Sequence, residues 1–282
     1  WHGVGLPQTL LGLKQEPAQD GHEPWVGKHS IIDDKNDLYK MQVPDFYHSG
    51  LMPKIHGMYQ TIREALHEDF DVVFPEWDFG CYGIVLSLRG TEHFLIDVMS
   101  DPEFAHRLLR FIFDAKKSYT RARASFLNTE ISPLYIPNDD ISVPMISPMV
   151  YRDFILPYEI ETSELHGGID YWHSCGRIDP LVEHVKKIPN LQMIHISYDN
   201  DFKKAAQTIG TDHIIEYVLN PIEDVLRASP EQMKSRLIDL KALNQGLNYT
   251  VRADAFQVLT TLDNDLEKVK QWIRTCRQVL CD

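Results

Sequence analysis

Short apolar runs of strand length alternate with amphipathic helical runs along this chain, and this alternation restricts its fold more than any other feature. Eight runs have strand character: Tyr39–Val43, Asp71–Phe74, Gly83–Leu88, Pro133–Ile136, Gly168–Trp172, Leu191–Ile196, His213–Val218 and Leu247–Arg252. Strands joined by helices pair in parallel, and eight such units close into a barrel. The sequence therefore predicts an α/β fold, a (β/α)8 TIM barrel, as a single domain over residues 1–282.

Three segments carry the signal that begins a helix, an N-cap residue followed by proline at the first helical position. They are Asp101-Pro102, Ser147-Pro148 and Ser229-Pro230. A final helix is predicted over Asp263–Leu280, where apolar side chains recur at helical spacing. Cys276 lies on that apolar stripe, so it is predicted to be a core residue and not a metal ligand.

Charge and cysteine content exclude several classes of protein. The formal net charge of −13 would repel nucleic acid and anionic membranes, so neither is an expected partner. Four scattered cysteines are too few for a disulfide framework, and no apolar run has the length of a membrane span. These features predict a cytoplasmic enzyme. The chain begins at Trp1 and not at methionine, which suggests that part of the first barrel unit is missing.

The tetrapeptide His173-Ser174-Cys175-Gly176 follows a predicted strand and is the strongest candidate for a metal site. Residues two apart at a strand end point to one face, which places the imidazole of His173 beside the thiol of Cys175. This pair suits Zn²⁺, and Gly176 allows a sharp turn that leaves one side of the metal open. The alternative is a cysteine beside a hydrogen-bonded histidine in an ordinary core.

Other polar side chains follow predicted strands, and in a barrel the chemistry takes place where the strands end. Asp139 and Asp140 are predicted to be catalytic, with Asp140 favoured, and helix capping or turn formation is the alternative. Five further residues are predicted to bind substrate: Glu76, Trp77, Asp78, His195 and Tyr198. Of these, His195 lies inside its predicted strand and could face either side. For Glu76, Trp77 and Asp78 the alternative is packing of a surface loop.

The region around these residues resembles the uroporphyrinogen decarboxylase superfamily. Four segments carry the resemblance: Arg89-Gly90-Thr91-Glu92, Met99-Ser100-Asp101-Pro102-Glu103, the stretch from Ile146 through Leu156-Pro157-Tyr158, and His173-Ser174-Cys175-Gly176. Within that superfamily the motif is most similar to the zinc- and corrinoid-dependent methyltransferases, where a His-x-Cys-Gly sequence at a strand end holds zinc. The resemblance implies methyl transfer between a small methylated substrate or thiol and a corrinoid carried on a partner protein. It also implies a homodimer.

One part of the methyltransferase pattern is absent from this sequence. In those enzymes a distal cysteine near the last strand completes the zinc ligands, whereas the matching segment, residues 245–254, contains none. A carboxylate is an acceptable replacement because its oxygen binds zinc. Glu216, in the strand His213–Val218, is therefore predicted to be the third ligand, and Asp254 is a second candidate.

Two other functions are consistent with the same resemblance. The first is a decarboxylase of the uroporphyrinogen decarboxylase type, which needs no metal, although the arginine-rich N-terminal signature of those enzymes is absent from these residues. The second is a barrel that binds a ligand or a partner without catalysis, having lost its third metal ligand. Zinc content discriminates among them, because only the methyltransferase requires the metal.

Overall fold

The computed structural model of this protein describes residues 5–16, 25–26, 30–66, 70–77 and 79–281. The chain divides into two compact units. One contains the chain up to Asn138 together with Met149–Gly168, and the other contains Asp139–Pro148 and the chain from Ile169 onward. Among the described residues, no helix combines the length and the apolar character that crossing a bilayer requires.

Helices make up most of the chain before residue 168. In order, the elements are α1 (Leu6–Leu10), the antiparallel pair β1 (Gln15–Glu16) and β2 (Trp25–Val26), a 3-10 helix (Lys35–Lys40), α2 (Met52–Ala65), α3 (Cys81–Arg89), α4 (Thr91–Ser100), α5 (Pro102–Leu127), β3 (Leu134–Pro137), α6 (Pro148–Val150), a π-helical segment (Tyr151–Ile155) and α7 (Leu156–His166). The predicted start of α5 is confirmed, since the Asp101 side chain accepts a hydrogen bond from Phe104 N.

Strands and helices alternate in the rest of the chain. The elements are β4 (Ile169–His173), α8 (Val182–Val185), β5 (Leu191–Ser197), α9 (Phe202–Ile209), β6 (Ile214–Val218), a π-helical segment (Pro221–Leu226), α10 (Pro230–Leu243), β7 (Tyr249–Arg252) and α11 (Leu262–Leu280). Strands β4 to β7 pair in parallel in chain order. The predicted α/β class is confirmed, because parallel strands joined by helices are the repeating unit of a TIM barrel.

Five of the eight predicted strands are present, and three predictions are wrong. The run Gly83–Leu88 lies within helix α3, where Ile84, Val85 and Leu88 are buried at helical spacing. A short apolar run of this length is compatible with either a strand or a buried helix. The run Tyr39–Val43 begins in a 3-10 helix instead, because the Asp34 and Asp37 side chains form a capping box that starts the helix.

The third wrong strand, Asp71–Phe74, has no regular structure. Its end is held by side chains of α5 and not by a neighbouring strand. Arg123 Nη2 donates to the carbonyl of Phe74 at 2.9 Å, and Tyr119 Oη donates to the carbonyl of Pro75 at 2.8 Å. These contacts satisfy backbone groups that a sheet would otherwise pair.

Arg89, the first residue of the segment Arg89-Gly90-Thr91-Glu92, has a structural role. Its guanidinium is buried and lies 2.8 Å from the Asp97 carboxylate, which connects the end of α3 to α4. The same side chain donates to the carbonyls of Ile32 at 2.8 Å and Asp33 at 2.6 Å. A buried charge is tolerated because it is paired with a carboxylate and hydrogen-bonded to backbone carbonyls.

His166, in the last turn of α7, is expected to make stability depend on pH. Its Nδ1 donates to the Ser132 carbonyl at 3.0 Å, and burial lowers its pKa from 6.5 to about 4. Between these values the unfolded chain binds a proton that the folded protein does not, so the free energy of unfolding falls as pH decreases from 6.5 to 4. The loss is at most about 3 kcal/mol.

A comparison of wild type with His166→Asn measures this contribution. Asparagine keeps a donor for the Ser132 carbonyl and has no group that titrates in this range. Urea unfolding at several pH values should show a smaller loss of stability below pH 6.5 in the variant. Parallel stability curves for the two proteins would contradict the assignment.

Candidate metal centre

Strand β4 positions His173 because alternate side chains of a strand face opposite sides. Trp172 is fully buried on one face, so Tyr171 and His173 share the other. The backbone leaves the strand after His173, where the Ser174 hydroxyl, itself buried, donates to the Ile141 carbonyl at 2.7 Å. The local sequence thus fixes the direction of the His173 ring and the start of the loop that carries Cys175.

Three side chains converge at the end of β4. The Nε2 atom of His173 lies 3.1 Å from Sγ of Cys175 and 3.1 Å from Oδ1 of Asp139. The three ligand atoms all lie within 4.8 Å of one another. Asp139, predicted to be catalytic, is therefore a member of the cluster that contains the predicted metal pair.

Asp139 reaches this cluster because its segment packs on the loop after β4. Val143 N donates to the Arg177 carbonyl at 2.9 Å, and the bond from Ser174 to Ile141 is a second link between the same two segments. A Cβ placed on Gly176 would lie only 2.2 Å from Cβ of Ser142. Glycine at position 176 is therefore required for this close approach, and no positive φ is involved.

Replacing Gly176 by alanine should separate the two segments. The new methyl group cannot share space with Ser142, so the backbone must shift, at a cost of about 1–3 kcal/mol in the free energy of unfolding. Asp139 would move away from His173, and zinc affinity should fall with it. The matched control is Gly57→Ala, where an added Cβ has no neighbour within 4 Å. Equal zinc affinity in Gly176→Ala and wild type would contradict this assignment.

A thiol, an imidazole and a carboxylate lie close together in the cluster, and this proximity changes the pKa values of Asp139 and Cys175. The hydrogen bond with His173 is the main cause that lowers the pKa of Asp139. Partial burial, followed by the neighbouring Asp139 carboxylate, raises the pKa of the Cys175 thiol to about 11. A divalent cation among these atoms would reverse the effect on the thiol, because coordination deprotonates cysteine.

The donor set fits zinc. Imidazole nitrogen, thiolate sulfur and carboxylate oxygen are the three ligand types that zinc takes from proteins. Asp139 and Cys175 are exposed and His173 is partly buried, so the cluster is accessible to a small molecule. Three protein ligands with an accessible side are typical of a catalytic zinc site, whereas structural sites have four.

A chain of hydrogen-bonded side chains extends from His173 across the neighbouring strands. Nδ1 of His173 lies 2.5 Å from Nδ1 of His195, which lies 3.2 Å from the Tyr171 hydroxyl. Tyr171 donates to Glu216, and Arg252 Nη2 donates to the Tyr171 hydroxyl at 3.2 Å. His195, predicted to bind substrate, is 3% exposed and is therefore a buried neighbour of the cluster.

The structure does not bring Glu216, the predicted third zinc ligand, into the cluster. Its carboxylate is engaged by Tyr171 and by Arg252, whose Nη2 lies 3.3 Å away. Asp254 is paired with the same arginine, with 3.2 Å between Oδ2 and Nε. The carboxylate that lies beside His173 is that of Asp139.

Asp140 lies next to the cluster and differs from Asp139. Its carboxylate makes no hydrogen bond or ion pair with any residue that the structure describes. Burial, and then the adjacent charge of Asp139, raise its pKa. A carboxyl group with a raised pKa and no fixed partner is suited to exchanging protons.

The other predicted substrate-binding residues lie in different surroundings. Trp77 is 2% exposed and packs edge-on against Tyr119, with ring centroids 5.9 Å apart, and Glu76 pairs with Arg123 at 2.9 Å. The adjacent cavity of about 20 Å³ has room for roughly one water molecule, too little for an organic substrate. Asp78 lies outside the described residues.

Tyr198 occupies the turn that follows β5 and is exposed. No hydrogen bond joins it to the cluster within the described part of the chain. Its assignment to the substrate site stays a prediction.

Tyr171 and Arg252 are part of the hydrogen-bonded chain and were not predicted. Tyr171 lies two residues before His173, so strand alternation was a usable signal for it. The position of Arg252 depends on strand pairing. His195 of β5 pairs with Glu216 of β6, and Val218 of β6 pairs with Arg252 of β7, so the three strands lie side by side. That register is a tertiary feature which one strand's sequence does not contain.

Comparisons with known proteins agree with this fold. The family model named uroporphyrinogen decarboxylase (URO-D) matches residues 6–279, so this chain belongs to that family. A methylated-thiol–coenzyme M methyltransferase of Methanosarcina mazei is 23% identical over 282 residues, covering 98% of this chain and 70% of that protein. The solved structure of a methyltransferase from Methanosarcina mazei is 16% identical, with a TM-score of 0.68, covering 95% of this chain and 77% of that one. The TIM-barrel-like α/β fold class is thereby confirmed.

Proposed function

We propose that this protein is a zinc-dependent methyltransferase that moves a methyl group between a small methylated substrate or thiol and a corrinoid protein. The observation that carries the proposal is the cluster of Asp139, His173 and Cys175, whose ligand atoms lie within 4.8 Å of one another. The similarity to a methylated-thiol–coenzyme M methyltransferase supports a sulfur compound as the small substrate.

Asp139, His173 and Cys175 would hold the zinc. When bound, zinc supplies the Lewis acidity that keeps a substrate thiol deprotonated, and the corrinoid supplies or accepts the methyl group. His173 provides Nε2, the atom that faces both other ligands. Asp139 and Cys175 each add a negative charge, so the loaded site would be neutral and would not repel an incoming thiolate.

Asp140 is assigned the proton transfer that accompanies thiol binding. A thiol must lose its proton before its sulfur is methylated, and a carboxylate beside the site can accept that proton. Burial, the main cause that raises the pKa of Asp140, increases its proton affinity relative to an ordinary aspartate. Its lack of a partner among the described residues leaves the carboxylate available.

A methyl-transfer assay tests the proposal. Zinc-loaded protein is mixed without oxygen with methylcobalamin, as the free form of the corrinoid, and with a small alkane thiol. Methyl thioether is measured by mass spectrometry, and the cobalamin by absorbance. Product should form faster with wild type than without protein, and Cys175→Ser should abolish the increase. Thioether formation at the protein-free rate would overturn the proposal.

Membership of the uroporphyrinogen decarboxylase family favours decarboxylation as the second candidate function. Decarboxylation of a porphyrinogen carboxylate requires no metal ligand, so it predicts product formation that is indifferent to chelators and to Cys175→Ser. Measuring carboxyl loss from uroporphyrinogen alongside thioether formation separates the two activities. Absence of both, with a folded chain, would favour a binding barrel.

A further inference from the structure

We propose that His195 is a positioning residue for the metal centre: it accepts a hydrogen bond from Nδ1 of His173 and thereby directs the Nε2 lone pair of His173 toward Asp139 and Cys175. This inference rests on the proposed metal site and specifies what holds its imidazole ligand in place. His195 itself would not touch the metal, and its effect would be on affinity.

The short contact between the two rings restricts their tautomers. Their Nδ1 atoms are 2.5 Å apart, too close for an N–H group on both, so one proton lies between them. Nε2 of His173 faces Asp139 and Cys175 at 3.1 Å each, and it binds a metal only through its lone pair. When a metal is bound at Nε2 in place of the proton that faces Asp139, a neutral His173 carries its proton on Nδ1, so His195 must then be the acceptor.

The groups around His195 leave it free to accept. The Tyr171 hydroxyl lies 3.2 Å from Nδ1 of His195, but its proton is donated to Glu216. Arg252 in turn donates to the oxygen of Tyr171. Because Tyr171 uses its only proton on Glu216, the Nδ1 lone pair of His195 remains available to His173.

The cost of retaining a histidine at this position supports a role beyond packing. His195 is 3% exposed in β5, and its Nε2 is buried with no hydrogen-bond partner in the part of the chain that the structure describes. An unsatisfied buried polar atom costs free energy that an apolar side chain of similar size would not. Stability alone therefore favours leucine at position 195, and the hydrogen bond with His173 accounts for the histidine.

Two substitutions separate the hydrogen bond that residue 195 accepts from the packing of its side chain. His195→Leu removes the acceptor and keeps an apolar side chain, whereas His195→Asn places an amide oxygen near the position of Nδ1. Zinc dissociation constants are measured by competition with a chromophoric chelator, and thermal unfolding of the metal-free proteins is measured in parallel. We expect His195→Leu to weaken zinc binding roughly 10- to 100-fold and His195→Asn to remain close to wild type. The metal-free unfolding temperature of His195→Leu should not fall below that of wild type.

Each alternative result has a distinct meaning. Equal zinc affinity in His195→Leu and wild type would overturn the inference and leave the metal site intact. Equal weakening of zinc binding by leucine and asparagine would also overturn it. The size of the ring, and not its ability to accept a hydrogen bond, would then determine zinc affinity. A wild type that binds no zinc would overturn the proposed metal site, and this inference with it.

A spectroscopic measurement on the zinc-loaded wild type does not depend on how the variants fold. Long-range nitrogen–proton correlation spectra of protein with ¹⁵N-labelled histidine distinguish the two tautomers of each ring. We expect the proton of His173 on Nδ1 and that of His195 on Nε2. A proton on Nε2 of His173 would overturn the inference.

Discussion

Cys175→Ser is expected to weaken zinc binding roughly a hundredfold or more, the largest effect of any single substitution. Structural zinc sites bind with about 10–16 kcal/mol, or roughly 3 kcal/mol for each of four ligands, and every 1.4 kcal/mol changes affinity tenfold. Serine keeps the size of the side chain, but its hydroxyl has no tendency to deprotonate near neutral pH. The affinity is measured by chelator competition, with metal content determined by mass spectrometry.

The control for this substitution is Cys281→Ser. Cys281 is also a free, exposed cysteine, but it lies beyond the end of α11 and outside the cluster. Its replacement should leave both zinc affinity and methyl transfer at wild-type levels. If Cys281→Ser lowers zinc content as much as Cys175→Ser does, the thiol requirement is not specific to the cluster.

Asp139→Asn is expected to weaken zinc binding roughly tenfold to a hundredfold. The amide is nearly the same size as the carboxylate but is neutral, so it loses the charge that favours a divalent cation. The same change at Glu216, Glu216→Gln, should have the smaller effect, because Glu216 is engaged by Tyr171 and Arg252 outside the cluster. Chelator competition on both variants measures the difference directly.

These two variants decide which carboxylate is the third ligand. A greater loss of zinc in Glu216→Gln than in Asp139→Asn would restore the ligand that the sequence alone indicated. It would require rearrangement of the Tyr171 and Arg252 contacts when the metal binds. Far-ultraviolet circular dichroism on both variants excludes loss of fold as the cause.

Strand prediction succeeded in the second half of the chain because the signals there are consistent. Each of β4 to β7 is an apolar run of strand length, separated from the next by a helix. In the first half, Gly83–Leu88 is also apolar but lies in a helix. At the end of Asp71–Phe74, the carbonyls of Phe74 and the adjacent Pro75 accept hydrogen bonds from the side chains of Arg123 and Tyr119. Local sequence does not contain the tertiary contacts that decide such cases.

The site was predictable only in part for a similar reason. His173 and Cys175 are adjacent on one strand end, so their proximity follows from backbone geometry. Asp139 joins them from a distant segment, through the contact of Gly176 with Ser142 and the bond of Ser174 to Ile141. Ligand chemistry alone indicates Glu216 as a zinc ligand, but its position beside Tyr171 and Arg252 depends on strand register.

The measurement that tests the metal centre most directly is X-ray absorption at the zinc edge of the loaded wild-type protein. The account predicts one zinc per chain with one sulfur neighbour at about 2.3 Å and nitrogen or oxygen neighbours at about 2.0–2.2 Å. In Cys175→Ser the sulfur neighbour should disappear. Zinc surrounded only by nitrogen and oxygen in wild type, or no bound zinc at all, would contradict the assignment of Asp139, His173 and Cys175 as its ligands.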